Sequence, residues 1–305
     1  MNSAYIGRLM ELAEKDKRIV HLLADSGTGF DEVFRRNFPD QIYNFGIAEE
    51  NMVSAAAGMA TVGKIPFVFT AGAFLAYRAL EFIRDDVCFQ NLNVKIVGMG
   101  SGLSWSSLGP THHTTEDVSV LRALPNLTLL SPATPNQVKA CVDKAYSDPG
   151  PVYIKVGMNK EREYFGDDHK LSDTGMDILS EGHDMLVFTT GSILDEVMRA
   201  VKMLDGDGIS ATVVNVTVLK PFNAGYALKA MQGFDSIFCV EEQNIHGGLG
   251  SILAETIAYN GVSRRLRPIG LDDCFAEGYG SYEMVRKRNK LDAESIYRKL
   301  KEEDK

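Results

Sequence analysis

The sequence lacks the features that would send a chain into or onto a membrane. No apolar run approaches the roughly 18 residues of a bilayer-crossing helix. The N-terminus has no signal-peptide pattern either, because Glu11, Glu14 and Asp16 fall early in it. These absences lead to the expectation of a cytoplasmic protein. Positive charge is short: 32 Lys and Arg stand against 41 Asp and Glu, for a net charge of -9 and a pI near 5.2. With no basic run carrying interleaved aromatics, this argues against a nucleic-acid or anionic-lipid surface. Cysteine is scarce and unpatterned. Cys88, Cys141, Cys239 and Cys274 lie far apart, without the spacing of a metal-ligand set or redox pair, and read as reduced core thiols. A P-loop is missing too, since Gly98 to Gly102 offers no Gly-Lys-Ser/Thr.

What is present is a chain of 305 residues, 45% hydrophobic and 24% charged, which suits two domains at about 150 residues each. Apolar strands and amphipathic helices alternate in two series. The first predicts strands near residues 19–23, 41–45, 65–70, 94–99, 127–131 and 152–156. Its helices fall near 5–14, 30–37, 48–62, 74–90, 115–123 and 135–146, with a turn at Ala24-Asp25-Ser26-Gly27-Thr28-Gly29. Between residues 158 and 176 the periodicity lapses, and Asn159-Lys160-Glu161-Arg162-Glu163 with Gly166-Asp167-Asp168 reads as a polar linker. The second series predicts strands near 185–190, 211–216 and 236–240, helices near 193–204 and 224–231, a helix after Gly250, and a charged helical stretch over 282–303. The expected fold is therefore α/β, with two doubly wound three-layer domains, residues 1–165 and 177–305. The first is built on a mainly parallel sheet whose ligands gather at the carboxyl ends of its strands.

Three stretches could carry chemistry. Asn44-Phe45-Gly46-Ile47-Ala48-Glu49-Glu50-Asn51-Met52 places two carboxylates where a short strand turns into a long helix. Acids in a first helical turn also have a plain electrostatic use, complementing the helix dipole. Residues 100–117 form a loop too long and too rich in small residues for an ordinary turn, and it contains His112 and His113, which can exchange protons near neutral pH. His246-Gly247-Gly248-Leu249-Gly250 stands between strand and helix, where close packing is favoured over an anion site.

Taken together, several ordered motifs resemble the pyrimidine domain of transketolases. They are Gly46-Ile47-Ala48-Glu49, Phe74-Leu75-Ala76-Tyr77-Arg78-Ala79, Gly109-Pro110-Thr111-His112, Leu124-Pro125-Asn126 and Ser131-Pro132-Ala133. Glu241-Glu242-Gln243 and the glycine motif after it resemble the transketolase C-terminal domain. The resemblance implies thiamine diphosphate as cofactor, with Glu49 exchanging a proton with N1′ of the aminopyrimidine and Phe74, Tyr77 and Ile47 around that ring. It implies that His112 contacts a substrate oxygen, and His113 and Ser131 complete the candidate substrate contacts. Gly206-Asp207-Gly208 copies the start of the family's diphosphate-Mg²⁺ motif, but it follows a helix and precedes a strand, so it reads as a helix stop. The resemblance is thus to the C-terminal subunit of a split transketolase, whose N-terminal partner would carry the diphosphate and Mg²⁺ site in an α2β2 assembly.

Three positions depart from the family pattern. Gly100 replaces a substrate-contacting histidine, Leu108 an acid and Ser131 a phosphate-binding arginine. The resemblance implies glycolaldehyde transfer, and these departures point to a specialised sugar-like substrate. A deoxyxylulose-phosphate synthase-like enzyme using a 2-oxoacid stays open as an alternative, as does a non-catalytic subunit of such a complex.

Overall fold

The computed structural model describes residues 1–25 and 29–302. The middle of the expected turn after the first strand, residues 26–28, and the last residue of the charged helical stretch lie outside the described residues. The first series comprises α1 (Asn2–Lys15), β1 (Ile19–Leu23), α2 (Phe30–Asn37), β2 (Ile42–Asn44), α3 (Glu49–Thr61) and β3 (Ile65–Ala71). It continues with α4 (Leu80–Phe82), β4 (Lys95–Met99), α5 (Asp117–Leu121), β5 (Thr128–Leu130), α6 (Pro135–Ser147) and β6 (Val152–Val156). Strands β1, β3, β4 and β6 are buried along their whole length, because helices cover both faces of a parallel sheet and leave no solvent side. Local signals set the helix ends. Thr134 caps α6 by accepting from Gln137 N at 3.3 Å, with Pro135 in the first turn.

The second series comprises β7 (Met176–Ser180), β8 (Met185–Thr190), α7 (Leu194–Gly206), β9 (Ala211–Val216), β10 (Val218–Lys220) and α8 (Ala224–Ala230). It ends with β11 (Ser236–Asn244), α9 (Leu249–Tyr259), β12 (Arg265–Leu271), α10 (Tyr282–Arg288) and α11 (Ala293–Glu302). Two sheets result, ordered β10-β5-β6-β4-β3-β1-β2 and β12-β11-β8-β9-β7. Each is parallel except for one antiparallel edge, β10 on β5 and β7 on β9. Strand β10 therefore leaves the second series to extend the first sheet. One apolar cluster also spans both, joining Val20, Val68 and Ile96 to Leu186, Phe188 and Ile237. No described helix is long and apolar enough to cross a membrane.

The structure departs from the expected elements where sheets end and where a helix changes pitch. Strands β7, β10 and β12 are additional, and all three are edges. Edge strands carry charge and proline without loss of pairing, as Arg265, Arg267 and Pro268 do in β12. The helix expected over 74–90 is instead α4 between two π-helical turns, Phe74–Arg78 and Ile83–Cys88. Such widened turns are frequent at functional sites. The charged end forms two helices with Lys290 at φ 57 between them.

His21 in β1 is fully buried, and its ring centroid lies 5.1 Å from that of Phe34 and 5.7 Å from that of Phe69. Burial pushes its pKa down to about 3. The unfolded chain takes up this proton below about pH 6.5, and the folded chain does not until near the lower value. Stability should therefore fall as pH drops from 6.5 toward 3, by up to about 1.4 kcal/mol per pH unit from this group. Urea denaturation between pH 7 and 5 should show a shallower loss for His21→Leu. Equal slopes in the two proteins would contradict the assignment.

Candidate active site

At the end of β2, Asn44 Oδ1 accepts from Gly46 N at 2.9 Å, and Gly46 takes φ +69, which a side chain would resist. Ala48 N then bonds Gly46 O at 2.9 Å, and Glu49 follows as the first residue of α3. Glu49 is 1% exposed, whereas a solvated helix-start acid would face water, and its neighbour Glu50 is only half-buried. The carboxylate accepts from Arg78 Nη1 at 2.6 Å. Arg78 in turn stacks on Phe74, with Cζ 4.9 Å from the ring centroid. Carboxylate, aromatic face and guanidinium thus define a slot filled by a flat, cationic, N–H-donating group.

The remaining expected cofactor contacts are arranged differently. Tyr77 donates to Glu116 Oε2 at 2.7 Å and accepts from Glu116 N at 3.0 Å, so its hydroxyl ties the π turn to the start of α5. Ile47 stands 78% exposed on the turn before Glu49.

The long loop after β4 approaches this slot from its other side. The His112 ring meets Phe74 edge-on at 5.1 Å and lies 6.1 Å from the Trp105 ring, and its Nδ1 is 2.9 Å from Thr111 Oγ1. Contacts therefore run without a break from Glu49 through Arg78, Phe74 and His112 to Trp105. His113 turns the opposite way. It is 2% exposed, and burial pushes its pKa down against the Glu242 and Glu116 charges, which keeps the ring neutral near pH 7. Neither of its ring nitrogens has a hydrogen-bond partner, and Ser104 Oγ, Trp105 Nε1 and Thr114 Oγ1 in the same loop are also buried without one. Such a concentration of unsatisfied buried groups fits a loop prepared for a polar ligand.

The three departures noted in the sequence have distinct surroundings. A Cβ on Gly100 would overlap Trp105 Nε1, so the indole takes the space a side chain at 100 would need. Leu108 is 45% exposed. Ser131 is 2% exposed and lines a seam between the two sheets with Ser101, Lys155 and Glu241, apart from the His112 cluster.

Two glycine patterns resolve as structural devices. Glu241 caps α9, accepting from Leu249 N at 2.8 Å and Gly250 N at 2.9 Å, so the protein's own carboxylate fills the helix start. Gly206 ends α7, and Asp207 pairs with Lys301 at 2.7 Å rather than with any ligand set. The described residues contain no group of three or more His, Cys, Asp or Glu able to hold a metal. Sequence reasoning overlooked Arg78, although its i,i+4 spacing from Phe74 was a signal. It also overlooked Lys155, a lysine inside the apolar strand β6, which donates to Asp117 Oδ1 at 2.6 Å, Gln243 Oε1 at 2.7 Å and Thr114 O at 2.9 Å.

A doubly wound fold with a buried carboxylate and an aromatic face at its strand ends has the architecture of α/β proteins that bind ligands at the carboxyl ends of their strands. Comparison with known proteins narrows that class. Residues 1–159 match the transketolase pyrimidine binding domain and residues 175–296 the transketolase C-terminal domain. A subunit of the apulose-4-phosphate transketolase of Actinobacillus succinogenes is 35% identical, over 95% of this chain and 94% of that one. The 6-deoxy-6-sulfo-D-fructose transketolase subunit SqwH of Clostridium sp. is 33% identical, over 98% of this chain and 92% of that one. A solved split gene transketolase, described as an inactive beta4 tetramer, aligns with TM-score 0.90 at 33% identity, covering 99% of this chain and 97% of that one. The 1-deoxy-D-xylulose-5-phosphate synthase of Syntrophomonas wolfei is 32% identical over 94% of this chain, which spans 45% of that enzyme. The chain belongs to the transketolase family of thiamine diphosphate-dependent enzymes, with the two-domain make-up of its split subunits.

Arg78→Ala would leave the buried Glu49 carboxylate unpaired. Because Arg78 is 41% exposed and partly screened, the expected loss is modest, about 1 kcal/mol. The double variant Glu49→Gln/Arg78→Ala should recover most of it. A double-mutant cycle by urea denaturation checks this, and strictly additive effects would refute the pairing.

Proposed function

We propose that this chain is the pyrimidine-binding subunit of a two-chain transketolase that moves a two-carbon ketol unit from a ketose-like donor to an aldose-like acceptor. The observation that carries the proposal is the buried Glu49 carboxylate, matched to a planar N–H donor over Phe74. The Arg78 guanidinium there stands in for the N1′-protonated aminopyrimidine, which is likewise flat and donates an N–H. The residues fit the cofactor on that ground. When bound, thiamine diphosphate supplies the nucleophilic carbon that carries the ketol unit.

In this reading Glu49 would hold the ring at N1′ by sharing one proton with it, donating when N1′ is neutral and accepting when it is protonated, which requires Arg78 to give up that carboxylate oxygen. Phe74 supplies a face for the ring and excludes water from it. Tyr77, tied to Glu116, and Ile47, on the exposed turn, close around the ring once the assembly forms. His112, in edge contact with Phe74, meets a substrate oxygen and can move a proton to or from it. Neutral His113 backs the same loop.

The diphosphate and Mg²⁺ fall to an N-terminal partner subunit, because the Gly-Asp-Gly of this chain is a helix stop. Both transketolase relatives are named as subunits, and the solved neighbour is inactive in its beta4 form, which supports the need for a partner. An α2β2 assembly follows if the chains pair about a two-fold. Trp105 filling the space beside Gly100, with Leu108 and the buried Ser131, favours a specialised substrate over the common pentose phosphates.

With the two chains combined, Glu49→Gln should lower kcat by about 10²- to 10⁴-fold while assembly persists. Glu50→Gln should change it little. Equal small losses in the two variants would remove Glu49 from the reaction. Calorimetry of this chain alone with thiamine diphosphate and Mg²⁺ should show only weak binding, and tight stoichiometric binding would sink the two-chain reading. The combined enzyme's kcat/KM on xylulose 5-phosphate with ribose 5-phosphate should fall below about 10⁴ M⁻¹s⁻¹. A higher value would restore a pentose phosphate role.

A further inference from the structure

The loop that brings His112 to the slot is held at its neck by the other domain. Gly102 and Thr114 exchange two backbone bonds, at 3.1 and 2.9 Å, which close residues 102–114 into a ring containing Trp105 and His112. At that neck Leu103 N donates to Glu242 Oε1 at 2.6 Å, across 139 residues of sequence. Glu242 lies on β11 and is 5% exposed. A Cβ on Gly102 would overlap this carboxylate, and Gly102 has φ +59, so the loop forgoes a side chain where the carboxylate enters.

The carboxylate is itself fixed from behind. Arg286 Nε donates to Glu242 Oε2 at 2.6 Å and the Tyr282 hydroxyl donates to both oxygens, at 2.8 and 2.9 Å. Arg286 is anchored by Ser192 O at 2.8 Å and lies 3.6 Å from Glu196. All these donors belong to the domain of Glu242, so the ion pair would be complete without the loop. The bond to Leu103 and the vacant side-chain position at 102 are additional. A second hold lies on the outer side of the ring, where Gly280 N donates to Ser106 O at 3.2 Å and the Tyr279 ring covers Gly109.

We infer that Glu242 is a positioning residue for catalysis, through which the C-terminal domain sets the placement of the His112 loop. The inference rests on the reading of that loop as substrate-facing. It gives the C-terminal domain a part in the reaction without any contact to substrate. A rigid, charged acceptor suits the task because hydrogen bonds to ionised groups are shorter and stronger than neutral ones.

The single tryptophan of the chain, Trp105, lies inside the ring and reports its placement directly. Glu242→Asp keeps the charge beside Arg286 but falls one methylene short of Leu103. It should shift Trp105 emission and raise acrylamide quenching, with circular dichroism and melting showing an intact fold. Glu242→Gln keeps the reach to Leu103 but removes the charge beside Arg286, so it should melt at a lower temperature while Trp105 emission and quenching in the folded protein stay nearer wild type than in Glu242→Asp. Glu255→Ala, which removes the Arg122 pair of α9 without touching the loop, is the control and should leave Trp105 unchanged.

In the combined two-chain enzyme, Glu242→Asp should lower kcat roughly ten- to hundredfold, as misplacement of a reacting group does. The thiamine diphosphate concentration for half activation should stay unchanged, and Glu242→Gln should restore most of kcat. A folded Glu242→Asp with wild-type Trp105 emission and quenching overturns the inference, as does a released Trp105 with wild-type kcat. If the wild-type pair shows no ketol transfer, the proposed function fails, and the fluorescence arm alone still decides whether Glu242 holds the loop.

Discussion

A lysine ammonium cut off from water ties together the two domains and the long loop after β4. Lys155 is 5% exposed, and each of its three acceptors comes from a different place: Thr114 at the loop's end, Asp117 at the start of α5, and Gln243 on β11 of the other domain. Asp117 also accepts from the Tyr153 hydroxyl at 2.7 Å, so the anion is satisfied as well. A buried charge that loses a partner costs several kcal/mol, so a displaced loop or a parted domain pair would be penalised at once. Gln243 and Glu242 are neighbours in sequence, and between them β11 fixes both sides of the loop's neck. That double attachment joins the loop carrying His112 to the C-terminal domain.

The same economy separates residues that are adjacent in sequence. Glu49 is buried against Arg78 while Glu50 is half-exposed, and His112 faces Phe74 while His113 turns into the interior. Each pair begins as two equivalent side chains. Helix pitch at the start of α3 and the tight turn at Gly109-Pro110 set one member of each beside the Phe74–Arg78 stack. A planar cation, the Arg78 guanidinium, keeps the buried Glu49 carboxylate from standing without a partner.

The alternation of elements was legible in the sequence because strands buried on both faces read as largely apolar runs, as β3 does. The edges β7, β10 and β12 were not, since a strand with one free side tolerates Asp177, Arg265 and Pro268 and loses the pattern. Pairing of β10 with β5 joins distant segments, which no local pattern encodes. The π turns escaped notice because Phe74 and Tyr77 fit an ordinary helix at i,i+3. Of the site, Glu49, Phe74 and His112 were legible as motifs and stand in one line of contacts. Arg78, Lys155 and Glu242 act through partners far away in sequence, so their roles became visible only once the chain was folded.

The central claim is that this chain contributes the proton-exchanging half of a two-chain ketol-transfer site. The most direct test combines it with a Gly-Asp-Gly-bearing subunit, thiamine diphosphate and Mg²⁺, and follows a ketose donor and an aldehyde acceptor while carbon dioxide is monitored. The account predicts two-carbon transfer only when both chains are present, with no carbon dioxide released. Turnover by this chain alone, or product formed in step with carbon dioxide from a 2-oxoacid, would contradict it.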